Sequence, residues 1–182
     1  MAGAVTGPDI SREEDFTRMV TAYQGAILRM CCLYLHDPAQ AEDALQETFI
    51  KAYKRMDSFR GDSAERTWLM SIAINTCRDI NRSAWFRHTE KRVVPEDLPL
   101  SSPSVNEEAL ALAEAIRRLP GKLREAILLY YYQDMTIQEV AGALHAAPST
   151  ILKRLNQARE MLRELLSEDD SVSASERGTR DE

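Results

Sequence analysis

Apolar residues recur along this chain at spacings of three and four, and no segment keeps the period-two alternation of a strand. The pattern therefore predicts helices throughout. Ser11-x-x-Glu14 has the form of a capping box and opens a first helix running to about Leu35, with Phe16, Met19, Val20, Tyr23, Ile27 and Met30 on its apolar face. Asp37 followed by Pro38 is a second start signal, since proline suits the first helical position. The stripe after it is Ala41, Leu45, Thr48, Phe49, Ala52 and Met56. A loop from Asp57 to Asp62 contains Gly61, and Asp62-x-x-Glu65 caps a third helix to about Arg82.

From Ser83 to Asn106 the periodicity stops, and Pro95, Pro99 and Pro103 lie in a serine-rich stretch that reads as a linker. Helical spacing resumes at Glu107, is interrupted by Pro120-Gly121, and continues to Tyr132. Thr136-x-x-Glu139 opens a short helix to about Leu144, His145 to Pro148 is a turn, and a last helix runs from about Ser149 to Leu166. The expected fold is all-α. A disordered N-terminus (1–10) precedes a three-helix domain (11–82), a flexible linker (83–106), a helix-turn-helix domain (107–166) and a disordered acidic tail (167–182).

Within Ile137 to Leu155, Val140, Ala141 and Leu144 face inward from one helix, and Ile151 and Leu155 from the next. That leaves Ser149, Leu152, Lys153, Asn156 and Gln157 outward near the start of the last helix, where a recognition helix meets base edges. Asn and Gln pair with adenine, and Lys with guanine or phosphate. Spacing alone leaves open a plain helical hairpin with a solvated face. On the third helix, Ser71, Asn75, Arg78 and Arg82 form one polar stripe, followed by Trp85, Phe86, Arg87, His88, Lys91 and Arg92. Basic groups track phosphates and aromatics stack on unpaired bases, although a solvated face accounts for the stripe equally well. The second helix differs: Asp43, Gln46, Glu47 and Lys54 surround a lone outward Ile50. An apolar centre with a polar, largely acidic rim suits a protein contact with a basic partner and would repel DNA.

The net charge of −6 over 182 residues looks wrong for a nucleic-acid binder until its placement is considered. Six acids against two arginines lie between Ser167 and Glu182, so the body of the chain is close to neutral and local patches decide what it binds. No apolar run approaches a membrane span, and the first residues lack the basic-then-apolar order of a secretory signal, so the expected compartment is the cytoplasm, without membrane insertion. Cys31, Cys32 and Cys77 form no C-x-x-C pair and read as buried small hydrophobes. No glycine-rich phosphate loop occurs, and His36, His88 and His145 are far apart, so no metal, cofactor, small-molecule substrate or catalytic residue is expected.

Three stretches in this order carry a family resemblance: DPAQAEDALQETFIKAYKRMDSFRG (37–61), DSAERTWLMSIAINTCRDINR (62–82), and LPGKLREAILLYYYQDMTIQEVAGAL (119–144) with the helix after it. They resemble the extracytoplasmic-function sigma factors, group IV of the sigma-70 family. The resemblance implies that the first domain is region 2, with Asp43, Gln46, Glu47 and Ile50 docking on the clamp helices of core RNA polymerase. It implies that Phe59, Arg60 and Asp62 capture an unstacked base of the minus-ten element, while Ser71, Asn75, Arg78 and Arg82 hold the melted strand. The second domain would be region 4, reading the minus-thirty-five element of promoter DNA through Ser149, Leu152, Lys153, Asn156 and Gln157. An anti-sigma factor is the implied inhibitor. Relatives usually carry glycine where this chain has His145, and often a basic residue at Leu152 and Gln157, so weakened or redirected promoter reading is expected. The rival reading is a helix-turn-helix regulator that binds duplex DNA without polymerase.

Overall fold

The computed structural model describes residues 8–59, 64–87 and 107–177, and all regular structure among them is helical. Helix α1 (Pro8–Leu35) turns back into α2 (Pro38–Arg55), which ends in a 3-10 turn at Met56–Ser58. Helix α3 (Glu65–Arg87) completes the first unit. The second unit contains α4 (Glu107–Arg118), α5 (Gly121–Ile127) with a π turn (Leu128–Tyr132), α6 (Ile137–Leu144) and α7 (Pro148–Arg177).

The predicted signals and the observed ends agree best where a cap is made. The Asp37 carboxylate accepts from Gln40 N at 3.0 Å, and Pro38 occupies the first turn, as a helix start requires. Ser11-x-x-Glu14, read as a cap, lies instead inside α1, which starts at Pro8. Proline is tolerated in a first turn, so the helix extends past the motif. Asp62 lies outside the described residues. Helix α3 runs past the predicted end at Arg82 to Arg87, and α7 runs past Leu166 to Arg177, because neither extension contains glycine or proline to stop propagation.

Met19, Ile27, Met30, Leu69, Met70 and Ile74 fill the middle of the first unit. The three cysteines are buried among them as free thiols, with Cys77 Sγ 3.5 Å from Cys31 Sγ. The hydrogen bond to Cys31 and burial hold the Cys77 thiol far above its ordinary pKa, and burial raises Cys32. Both are thus poor nucleophiles.

No local pattern along the chain predicts where the two units sit relative to each other. They share one continuous core, with α1 and α3 packed on the π turn and α6. Arg124 ties the boundary: its guanidinium donates to the carbonyls of Ile116 and Leu119 at the end of α4 and of Tyr34 in α1, at 3.2, 3.0 and 3.2 Å. Gln133, 3% exposed, donates through Nε2 to Ala26 O at 3.0 Å, and Arg66 donates to Gln133 O.

His36 lies at this boundary in a left-handed conformation, φ 56°. Burial, reinforced by Arg124 and Arg117 against Glu114, lowers its pKa to about 4. The unfolded chain therefore binds a proton that the folded chain refuses between about pH 6.5 and 4. Stability from this group is complete above that window and falls through it as pH drops, by up to about 3 kcal/mol. His36→Asn keeps a residue that tolerates the left-handed turn. The variant is expected to melt with a shallower pH dependence than the parent between pH 7 and 4; identical slopes would assign the loss to other groups.

Candidate nucleic-acid interface

The helix-turn-helix is built as its sequence requires. Thr136 and Glu139 close a reciprocal capping box: Glu139 N donates to Thr136 Oγ1 at 3.3 Å, and Thr136 N donates to Glu139 Oε2 at 2.8 Å. Those hydrogen bonds hold the Glu139 carboxylate below its ordinary pKa. At the other end, His145 sits at φ 49°, ψ 50°, the left-handed turn that lets α6 stop and α7 start. Val140, Ala141, Leu144, Ile151, Leu155 and Ala158 are buried. Ser149, Leu152, Lys153, Asn156 and Gln157 are all exposed on the opposite face of α7, with Leu152 48% exposed among the polar groups.

The face of α2 is equally open. Asp43, Gln46, Glu47 and Ile50 are exposed, with Ile50 at 47%. Glu47 pairs with Lys51 at 3.6 Å, and Lys51 reaches across to Asp79 of α3 at 3.7 Å, so this rim is held by a small ion network. Beside Ile50 an apolar groove of about 600 Å³ opens between α1 and α2, lined by Phe16, Val20, Leu45, Phe49 and Tyr53. The groove was not foreseen, because it needs α1 and α2 side by side. A second groove of about 320 Å³ lies in the other unit, where the π turn leaves Tyr131 and Tyr132 exposed beside Leu112 and Leu162.

The α3 stripe is more occupied than its spacing suggested. Asn75 and Arg82 are exposed, whereas Ser71 and Arg78 are half-buried. Arg78 donates through Nε and Nη2 to the two carboxylate oxygens of Glu125, each at 2.6 Å, and through Nη1 to Asn75 Oδ1 at 2.8 Å. Glu125 is 2% exposed and also accepts from the Tyr34 hydroxyl at 3.2 Å. The pair raises the Arg78 pKa, and burial beside Glu125 raises that of Tyr34. Ser71 Oγ lies 3.4 Å from His145 Nε2, and Arg82 pairs with Asp79 at 2.6 Å. Phe59 stacks against Trp68 with ring centroids 4.9 Å apart; Arg60 and Asp62 lie outside the described residues. Glu125 was missed by sequence reasoning, although a single acid in the run Leu123 to Leu129 was a signal that it needed a partner.

Comparison with known proteins fits this geometry. The chain matches the family models Sigma-70 region 2 over residues 19–87 and Sigma-70, region 4 over residues 109–162. It is 32% identical over 161 residues to the RNA polymerase sigma-H factor of Pseudomonas aeruginosa, covering 81% of this chain and 83% of that one. The chain belongs to the sigma-70 family. It is an RNA polymerase sigma factor of the extracytoplasmic-function group, and hence a transcription initiation factor. The ECF RNA polymerase sigma-E factor of Escherichia coli is 31% identical over 164 residues, covering 82% of this chain and 85% of that one. Among solved structures, the sigma factor RpoE of Bartonella quintana, crystallised with the anti-sigma factor NepR, superimposes with a TM-score of 0.69 at 25% identity, over 85% of this chain and 98% of that one. In this sigma factor the region 2 match runs from within α1 to the end of α3, and the region 4 match from α4 into α7. No described helix is long and apolar enough to cross a membrane.

Proposed function

We propose that this sigma factor binds core RNA polymerase through the α2 face and reads promoters with two separate surfaces. Asp43, Gln46, Glu47 and Ile50 form the polymerase contact. The α3 stripe, with Phe59, Arg60 and Asp62, takes the melted minus-ten strand. Ser149, Leu152, Lys153, Asn156 and Gln157 read the minus-thirty-five duplex. The observation that carries the reading is the division of α7: Ile151, Leu155 and Ala158 are fully buried, while the five outward residues are all exposed beyond a capped, left-handed turn. Such a helix presents its N-terminal half to a major groove.

The protein acts in the cytoplasm, without catalysis of its own, in a stress or envelope response. An anti-sigma factor restrains it, as the complex of the Bartonella relative with NepR suggests. The domain limits that go with this function are residues 11–82 and 107–166, joined by a linker at 83–106.

The test is run-off transcription on genomic fragments with core polymerase, beside gel shifts with and without core. Discrete transcripts and a promoter shift that needs core are expected. A specific shift of duplex DNA by the chain alone, with no transcript, would instead indicate a regulator independent of polymerase.

A further inference from the structure

Of the five outward residues of α7, four are polar and one is not. Leu152 is 48% exposed at the centre of that face, on one row with Ser149 and Asn156, with Lys153 and Gln157 beside it. Its neighbours in the helix fix its direction. Ile151 and Leu155 are both fully buried, so α7 cannot roll Leu152 into the core without lifting the two of them out. A single exposed leucine is ordinary on a protein surface. On a helix face that enters a major groove it is not neutral. The base edges there present donors and acceptors, with one apolar group among them, the C5-methyl of thymine. A leucine set against any other edge takes a polar base atom out of water and returns no hydrogen bond. Only Lys153 of the five carries a charge, so discrimination by this face falls to groups that sense base edges rather than phosphates.

We infer that Leu152 is a specificity residue that selects thymine, its side chain packing on the C5-methyl group of one thymine in the duplex that α7 reads. The inference rests on the reading of that helix as the minus-thirty-five reader. Residues four apart on a helix have side chains about 5–6 Å from each other. Successive bases of a strand rise by about 3.4 Å. Leu152 and Asn156 therefore address base pairs within about two steps of each other. Asparagine suits adenine, so the element holds a thymine within that distance of the adenine taken by Asn156.

The experiment uses holoenzyme assembled with core RNA polymerase and a promoter duplex that it retains. The duplex is synthesised again with deoxyuridine in place of one minus-thirty-five thymidine at a time. That replacement removes the methyl group and keeps every hydrogen-bonding atom of the base. At one position the parent is expected to bind the deoxyuridine probe about fourfold more weakly, the worth of one buried methyl group. Leu152→Gln changes an exposed position to another good helix former and should bind the two probes equally. Asn156→Ala should bind both more weakly and keep the fourfold ratio. Equal binding of all probes by the parent overturns the inference, and that measurement needs no variant to fold. A thymine preference that survives Leu152→Gln also overturns it, because the methyl then meets another side chain. Failure of the underlying reading looks different: Lys153→Ala and Asn156→Ala holoenzymes would hold the unmodified promoter as well as the parent does. If those two bind weakly while the parent ignores every methyl, the thymine contact alone is lost.

Discussion

Ile50→Asp is expected to abolish retention of the sigma factor by core RNA polymerase while leaving its helicity and melting temperature within error of the parent. Ile50 is half-exposed, so the fold loses little by the change; surface substitutions of this kind stay within about 0.5 kcal/mol. In a docked contact the same position becomes the desolvated centre, and an unpaired charge buried there costs roughly 3–5 kcal/mol. That corresponds to a loss of about two to four orders of magnitude in affinity. Glu47→Lys acts on the rim. It removes the pairing with Lys51 and reverses a charge directed at a basic partner, so it should act in the same direction by a smaller factor. Co-purification with tagged core enzyme, beside circular-dichroism melts, reads both. Full retention of Ile50→Asp by core would move the polymerase contact off α2.

Asn156→Ala and Lys153→Ala are expected to depress initiation at a fully duplex promoter, each by about 5- to 150-fold, the equivalent of roughly 1–3 kcal/mol per base contact. On a template whose minus-ten region is already separated they should cost much less, because affinity then comes from region 2. Arg60→Ala and Asn75→Ala should invert the pattern, harming strand capture most. The four side chains belong to different units, and Lys153, Asn156 and Asn75 are exposed, so these three truncations leave the core intact. Matched transcription from duplex and pre-melted templates compares all four. Equal losses on both templates would show that the two surfaces do not divide the work.

The parts of this molecule that follow helical periodicity were legible in the sequence. The stripe of α2, the capping box at Thr136, the turn at His145 and the buried set of α7 each depend on residues within a few positions of one another. The same kind of local signal misled at Ser11, where Pro8 had already started the helix. Arg78 illustrates the limit more sharply. Its spacing with Ser71, Asn75 and Arg82 placed it on a polar face, which is correct, but its partner Glu125 lies in another unit beyond the linker. No local period encodes such a pair. The groove beside Ile50 and the tie of Arg124 to Tyr34 were hidden for the same reason.

The turn of the helix-turn-helix also bears on how this sequence can drift. His145 holds a left-handed backbone that glycine would adopt with less strain, yet glycine has no ring to reach Ser71 across the boundary between the two regions. A mutation to glycine would therefore be favoured by the local backbone and opposed by the arrangement of the whole chain. Under selection the two effects pull position 145 in opposite directions, and the residue at position 71 sets which prevails. Loss of the Ser71 hydroxyl would leave histidine with strain and without that contact, so that glycine would be the better residue there. The histidine thus makes what one helix-turn-helix position tolerates depend on a helix in the other region.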